Sequence, residues 1–160
     1  MTGLRFSSVD SKAGRTIVGR LLPGTDLIEG ILALCKEHNI NFGSIDVVLG
    51  SLRKFTFVYP IRDESKKMGV RYCDPVVIEG PIELLCGGGL IGVNRNGEKA
   101  VHLHLVVSDR EGKVYGGHVV GGNPVLVTVE LVLRELEGVS IVREEDEETG
   151  FPLFKFKNIV

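Results

Sequence analysis

After Asn39 the sequence becomes a succession of short β-branched runs, each closed off by Gly, Pro or Asn. That punctuation leaves little room for helices and favours strands joined by tight turns. The runs fall at residues 44–49, 53–59, 76–85, 100–107 and 113–120, and they predict a mainly antiparallel sheet. Residues 124–134 are ambiguous, because Asn123-Pro124 could open a helix, yet Val125, Val127, Thr128, Val129 and Val132 are all β-branched. Strand is the reading adopted there. The alternating tail at 151–156 adds a last strand, and the acidic stretch from Glu144 to Glu148 reads as a solvated turn.

One helix is expected, over residues 25–39. Pro23 and Gly24 end a preceding strand at 15–22, Thr25 or Asp26 can cap the helix, and Glu29 is placed to complete a capping box. Leu27, Ile28, Ile31, Leu34 and Cys35 form one apolar stripe, with Lys36 and His38 suited to the C-terminal end of the dipole. A length of 160 residues with 43% apolar and 25% charged residues is the composition of one globular domain, taken as 1–160. The fold class expected is α+β, a central, mainly antiparallel twisted sheet with one main helix packed on it. Several strands, 124–133 above all, are apolar on both faces, more than one helix can cover, so burial between copies in a homo-oligomer is expected.

A formal net charge of −2 disfavours direct nucleic-acid binding by this chain alone, which needs clustered Lys and Arg. Arg53, Lys54, Lys66 and Lys67 are the one candidate basic patch. Cys35, Cys73 and Cys86 are odd in number and form no C-x-x-C pair, which fits a reducing compartment rather than a disulfide framework. No apolar run approaches a membrane span and no secretory pattern opens the chain, so a soluble, unprocessed, cytoplasmic protein without membrane partners is expected.

Three histidines lie close together, in VHLHLVVSD and VYGGHVV. On a strand, His102 and His104 share a face while Val101, Leu103 and Leu105 take the other. A three-residue loop of Arg110, Glu111 and Gly112 would put glycine at the left-handed position of a G1-bulge hairpin. Asp109 then faces Lys113, His104 lies opposite His118, and all three imidazoles stand on one face. A two-residue loop would send His118 to the far side. Three imidazoles at facing positions can converge on a divalent ion such as zinc, with a coordination position left open. Histidines on a sheet surface are also explained by solvation or ordinary hydrogen bonding. Gly116, Gly117, Gly121 and Gly122 around His118 would let a ligand or a neighbouring subunit approach.

The runs EGPIELLCGGGLIG, AVHLHLVVSD and VYGGHVVGGNPVLVTVEL, preceded by GTDLIEGILALCKEHNINFGSI and VVLGSL, resemble the PPC (plant and prokaryote conserved) domain over nearly the whole chain. The H-x-H plus G-G-H combination is the specific part. The resemblance implies an α+β fold around an antiparallel sheet, assembly as a trimer, and metal at the histidine cluster in some prokaryotic members. His102, His104 and His118 match those positions one by one. In plants the domain is joined to a basic DNA-binding hook and serves oligomerisation and partner contacts. No Arg-Gly-Arg-Pro hook occurs here, so DNA binding is not carried over.

Two functions follow as expectations. The first is an oligomeric, metal-binding, non-catalytic module of the stand-alone type with a regulatory role, with a small-molecule ligand at the metal and any association with DNA made through partners. The second is a metal-dependent hydrolase or lyase using the open coordination position, for which Glu83, Glu79 or a residue from another subunit would serve as general base. Glu83 could alternatively orient a histidine, although a surface ion pair is the simpler reading. Gly87, Gly88 and Gly89 lack the Lys-Ser or Lys-Thr of a phosphate loop and read as a strand bulge or close packing. Cys73 and Cys86 read as structural or incidental, and His38 as a helix-end cation.

Overall fold

The computed structural model describes residues 3–159. Asp26 caps the helix α1 (Leu27–Glu37), its Oδ1 accepting from the amides of Ile28 at 3.0 Å and Glu29 at 3.2 Å. The other carboxylate oxygen accepts from the amides of Gly122 and Asn123. The expected stripe is inward: Leu27, Ile31 and Cys35 are buried, and Ile28 and Leu34 pack partly buried against the core. Each fully buried aliphatic side chain contributes about 2 kcal/mol through apolar burial. His38 closes the helix as its C-cap.

Strand β1 (Lys12–Leu21) precedes the helix, and nine strands follow it: β2 (Gly43–Val58), β3 (Pro60–Arg62), β4 (Val70–Tyr72), β5 (Val76–Asn94), β6 (Lys99–Asp109), β7 (Val114–Val119), β8 (Val125–Glu137), β9 (Val139–Glu145) and β10 (Pro152–Asn158). The molecule is thus mostly sheet with one short helix. Strand order in the main sheet is β1-β8-β2-β7-β6-β5-β9-β10, and β3 and β4 form a separate ribbon. The ambiguous segment is strand β8, and β10 covers the predicted tail. All pairings are antiparallel except β5 with β9, which run parallel, so the main sheet is mixed rather than purely antiparallel. Strand β2 bonds β8 along one edge and β5 along the other, then meets β7 at Phe57 and Val58. Strands β2, β5, β6 and β7 thereby close on themselves around Phe55, Leu52, Leu84, Leu103 and Leu105.

Three boundaries differ most from the sequence reading, and the β3–β4 ribbon lies where no strand was expected. Residues 44–49 and 53–59 belong to one strand, because Gly50 takes a φ of +140° at a register shift rather than ending the strand. A Cβ there would strike the Thr128 carbonyl of β8. Strand β5 continues through Gly87–Gly89 to Asn94, since side chains at Gly87 and Gly89 would collide with the backbone of β6. Glu144 and Glu145 end strand β9, and the turn begins only after them. Charge masked that strand: its apolar half is Val139, Ile141 and Val142 alone.

Asn123, 0% exposed, fixes the loop between β7 and β8. Its Oδ1 accepts from the Thr56 amide at 2.7 Å, and its Nδ2 donates to the carbonyls of Thr56 at 3.2 Å and Val120 at 2.5 Å. That buried amide is satisfied on both ends, as burial demands. It ties the segment after His118 to β2, and Asp26 ties the same segment to the helix.

Candidate metal centre

The hairpin of β6 and β7 has the register that the turn predicts. The Asp109 amide donates to the Lys113 carbonyl at 3.0 Å, the Gly112 amide donates to the Asp109 carbonyl at 3.0 Å, and Gly112 has a φ of +79°. Asp109 braces the turn with its side chain, Oδ1 accepting from the amides of Glu111 and Lys113 at 2.9 Å and Oδ2 from the Tyr115 hydroxyl at 3.1 Å. Those bonds hold the Asp109 carboxyl below its ordinary pKa. Ser108 therefore faces Val114, and His104 faces His118. Leu103, Leu105 and Val107 fill the core from the other side of β6.

All three imidazoles meet. Each offers a ring nitrogen within 4.8 Å of the others, and Nε2 of His102 lies 3.1 Å from Nε2 of His104. Ring centroids are separated by 5.0 Å between His102 and His104, 4.9 Å between His102 and His118, and 5.4 Å between His104 and His118. His104 is exposed, whereas the other two are half-buried. Nδ1 of His118 is buried and has no hydrogen-bond partner among the described residues. Burial, then the neighbouring His102, His104 and Arg143, lowers the His118 pKa to about 4. Burial, His104 and Arg143 also lower that of His102. Both rings are therefore neutral at pH 7, the form that ligates metals.

A cavity of about 240 Å³ opens beside His102 and His118, walled by Val58, Tyr72, Phe151 and Phe154. The Tyr72 ring lies 5.5 Å from His118, and Phe151 meets Tyr72 edge-on at 5.8 Å. Arg143 of β9 reaches the same cavity, its guanidinium carbon 4.8 Å from the Phe154 ring centroid. None of Tyr72, Arg143, Phe151 and Phe154 was singled out from the sequence as part of a site. They come from β4 of the separate ribbon, β9, the turn before β10 and β10, and only the tertiary fold brings them to the histidines.

The other sequence candidates lie elsewhere. Glu83 faces Ser108, four positions along β6 from His104 and so about 13 Å away along the strand. Glu79 lines a separate depression near the Asp109–Lys113 turn. Cys73 accepts a weak bond from the Tyr59 amide at 3.4 Å, and Cys86 is exposed. Cys35 is buried in the core, which pushes its thiol up to about 11. Arg53 and Lys54 are on β2, while Lys66 and Lys67 are in the loop between β3 and β4, where Lys67 bonds the Glu147 carbonyl.

The sequence profile of the Plants and Prokaryotes Conserved (PCC) domain matches residues 9–137. The chain belongs to the PCC family. This is the resemblance that the histidine and glycine motifs carry. A PCC-domain structure from Pyrococcus horikoshii, described as a plant- and prokaryote-conserved protein, shares 28% identity and superimposes with a TM-score of 0.79 over 96% of this chain and 100% of that one. A protein from Archaeoglobus fulgidus, described as metal-containing, shares 26% identity with a TM-score of 0.80 over 94% of this chain and 99% of that one. The bifunctional protein GlmU of Synechococcus sp. (strain JA-3-3Ab) is 29% identical over 132 residues, 82% of this chain. The PCC chain spans about a fifth of the length of that relative, 19%.

The donor set fits a borderline divalent ion. Three imidazoles suit zinc and its transition-metal neighbours, whereas calcium and magnesium require oxygen ligands that the cluster lacks. The partnerless Nδ1 of His118 is a buried polar atom in need of a ligand, a proton donor or water.

Proposed function

We propose that this PCC domain is an oligomeric metal-binding module in which His102, His104 and His118 hold one divalent ion, zinc matching the donor set best. The observation that carries this reading is the convergence of three imidazoles through one turn of fixed length. The description of the Archaeoglobus relative as metal-containing supports it. Three protein ligands leave a position on the ion for a small ligand in the adjoining cavity. A trimer is the proposed assembly, with outward apolar residues such as Val18 and Leu49 covered between copies. No helix among the described residues is long and apolar enough to cross a membrane. With its free cysteines, the module is assigned to the reducing cytoplasm.

Binding or regulation, rather than catalysis, is the proposed role. Among the described residues no carboxylate lines the cavity beside the histidines, and Glu83 and Glu79 are both displaced from it. Metal analysis of the purified chain after zinc loading and dialysis tests the reading. About one ion per chain in the wild type, lost in His118→Ala, supports it; equal retention by wild type and variant counts against it.

A further inference from the structure

The cavity contains one group that the metal site does not use. Arg143 faces Phe154 across the β9–β10 pair, and its Nη2 donates to the Val101 carbonyl at 3.1 Å. Among the described residues that is its only side-chain hydrogen bond, and it makes no salt bridge. Neighbouring carboxylates are engaged elsewhere. Glu144 lies 3.6 Å from Arg95 and 3.8 Å from Lys155. Asp146 accepts from the amide and hydroxyl of Thr149 at 2.9 Å and lies 3.8 Å from Lys155.

A half-buried guanidinium with only one of its five donors bonded to the protein leaves the others for water or an anion, and an anion also offsets its charge. Burial lowers its pKa below the ordinary value, a penalty that a bound anion would relieve. The remaining walls are apolar or aromatic: Val58, Val120, Leu153, Tyr72, Phe151 and Phe154. The volume, about 240 Å³, lies below the range of drug-sized sites and suits a molecule of about ten non-hydrogen atoms.

We infer that the cavity binds a small monocarboxylate with a flat apolar body, the carboxylate on Arg143 and the body against Tyr72, Phe151 and Phe154. A carboxylate matches the planar fork of arginine, while an inorganic oxyanion would leave the aromatic walls unused. The inference rests on the reading of this cavity as the module's ligand site. It requires Arg143 and not the ion, so the two can fail separately.

Benzoate is the probe, titrated calorimetrically into the full chain in metal-stripped and zinc-loaded forms, with benzamide and inorganic phosphate as comparisons. Benzoate should bind both forms at least tenfold more tightly than either comparison. Arg143→Gln should lose at least tenfold, and Arg143→Lys should fall between. Equal binding of benzoate and benzamide by the wild type, or full-strength benzoate binding by Arg143→Gln, would overturn the inference. If Arg143→Gln does not fold, the wild-type comparison decides alone. Zinc retention by the same samples separates the readings. A chain that takes no zinc yet binds benzoate through Arg143 removes the metal proposal and keeps this one; zinc uptake without discrimination does the reverse.

Discussion

His118 is the residue on which most of the site's energetics converge, because it is half-buried, faces two other imidazoles and has an unsatisfied Nδ1. Its pKa of about 4 lies below that of an unfolded histidine, so the unfolded chain binds more protons as pH falls from about 6.5 towards 4. Metal-stripped protein should therefore lose stability across that window, whereas above it histidine is neutral in both states. Thermal melts at pH 7 and pH 5 check this; His118→Gln should show a shallower loss between them than the wild type. In the zinc-loaded protein the same acidification should release metal, since protons compete for the imidazoles. Removing any one histidine should weaken zinc binding by at least about 100-fold, more than the loss of a group that only orients a ligand. The histidines were legible in the sequence because two of them alternate on a strand and the third follows a glycine-marked turn. Arg143, Tyr72, Phe151 and Phe154 were not legible, since nothing local distinguishes an arginine or phenylalanine on a site from one on any strand.

At the scale of elements, the β6–β7 hairpin and the β7–β8 loop decide where His118 points. The hairpin was readable because Gly112 takes the left-handed conformation that its turn type needs, and Asp109 braces the turn. The loop was not, because Asn123 reads as a turn residue and only its contacts with Thr56 and Val120 reveal it as a buried tie. Asn123→Ala should take their side-chain partner from the Thr56 amide and the Val120 carbonyl and cost about 3 kcal/mol, measured by urea unfolding. Asp26→Ala should cost about 1 kcal/mol for the lost helix cap, with a further loss from the freed amides of Gly122 and Asn123. Helix α1 and strand β8 were recovered from apolar spacing and β-branching. The run from Val139 to Glu145 was missed because its charged end resembles a solvated turn, although pairing with β10 and β5 makes it a strand.

For the whole molecule, the closure of β2, β5, β6 and β7 leaves an outward face that is not fully polar. Val18 is 79% exposed and Leu49 is 46% exposed, and both share the side of the sheet that carries Arg20 and Glu130. Apolar residues so placed fit the proposed interface between copies. Sedimentation should give a mass that is a multiple of 17.4 kDa, three-fold for the proposed trimer, and Val18→Glu with Leu49→Glu should shift the population towards the single chain. Strands apolar on both faces announced a sheet to be covered on two sides, yet they could not tell a closed strand ring from an open sheet. That distinction lies in β2 using both edges, a long-range property of register. The most direct measurement of the central claim is titration of the metal-stripped chain with cobalt(II), followed by visible absorption. One equivalent should saturate a spectrum of nitrogen ligation that zinc abolishes and that His102→Ala, His104→Ala and His118→Ala each fail to develop. A wild-type chain that gives no cobalt spectrum, or one unchanged by all three substitutions, would contradict the account.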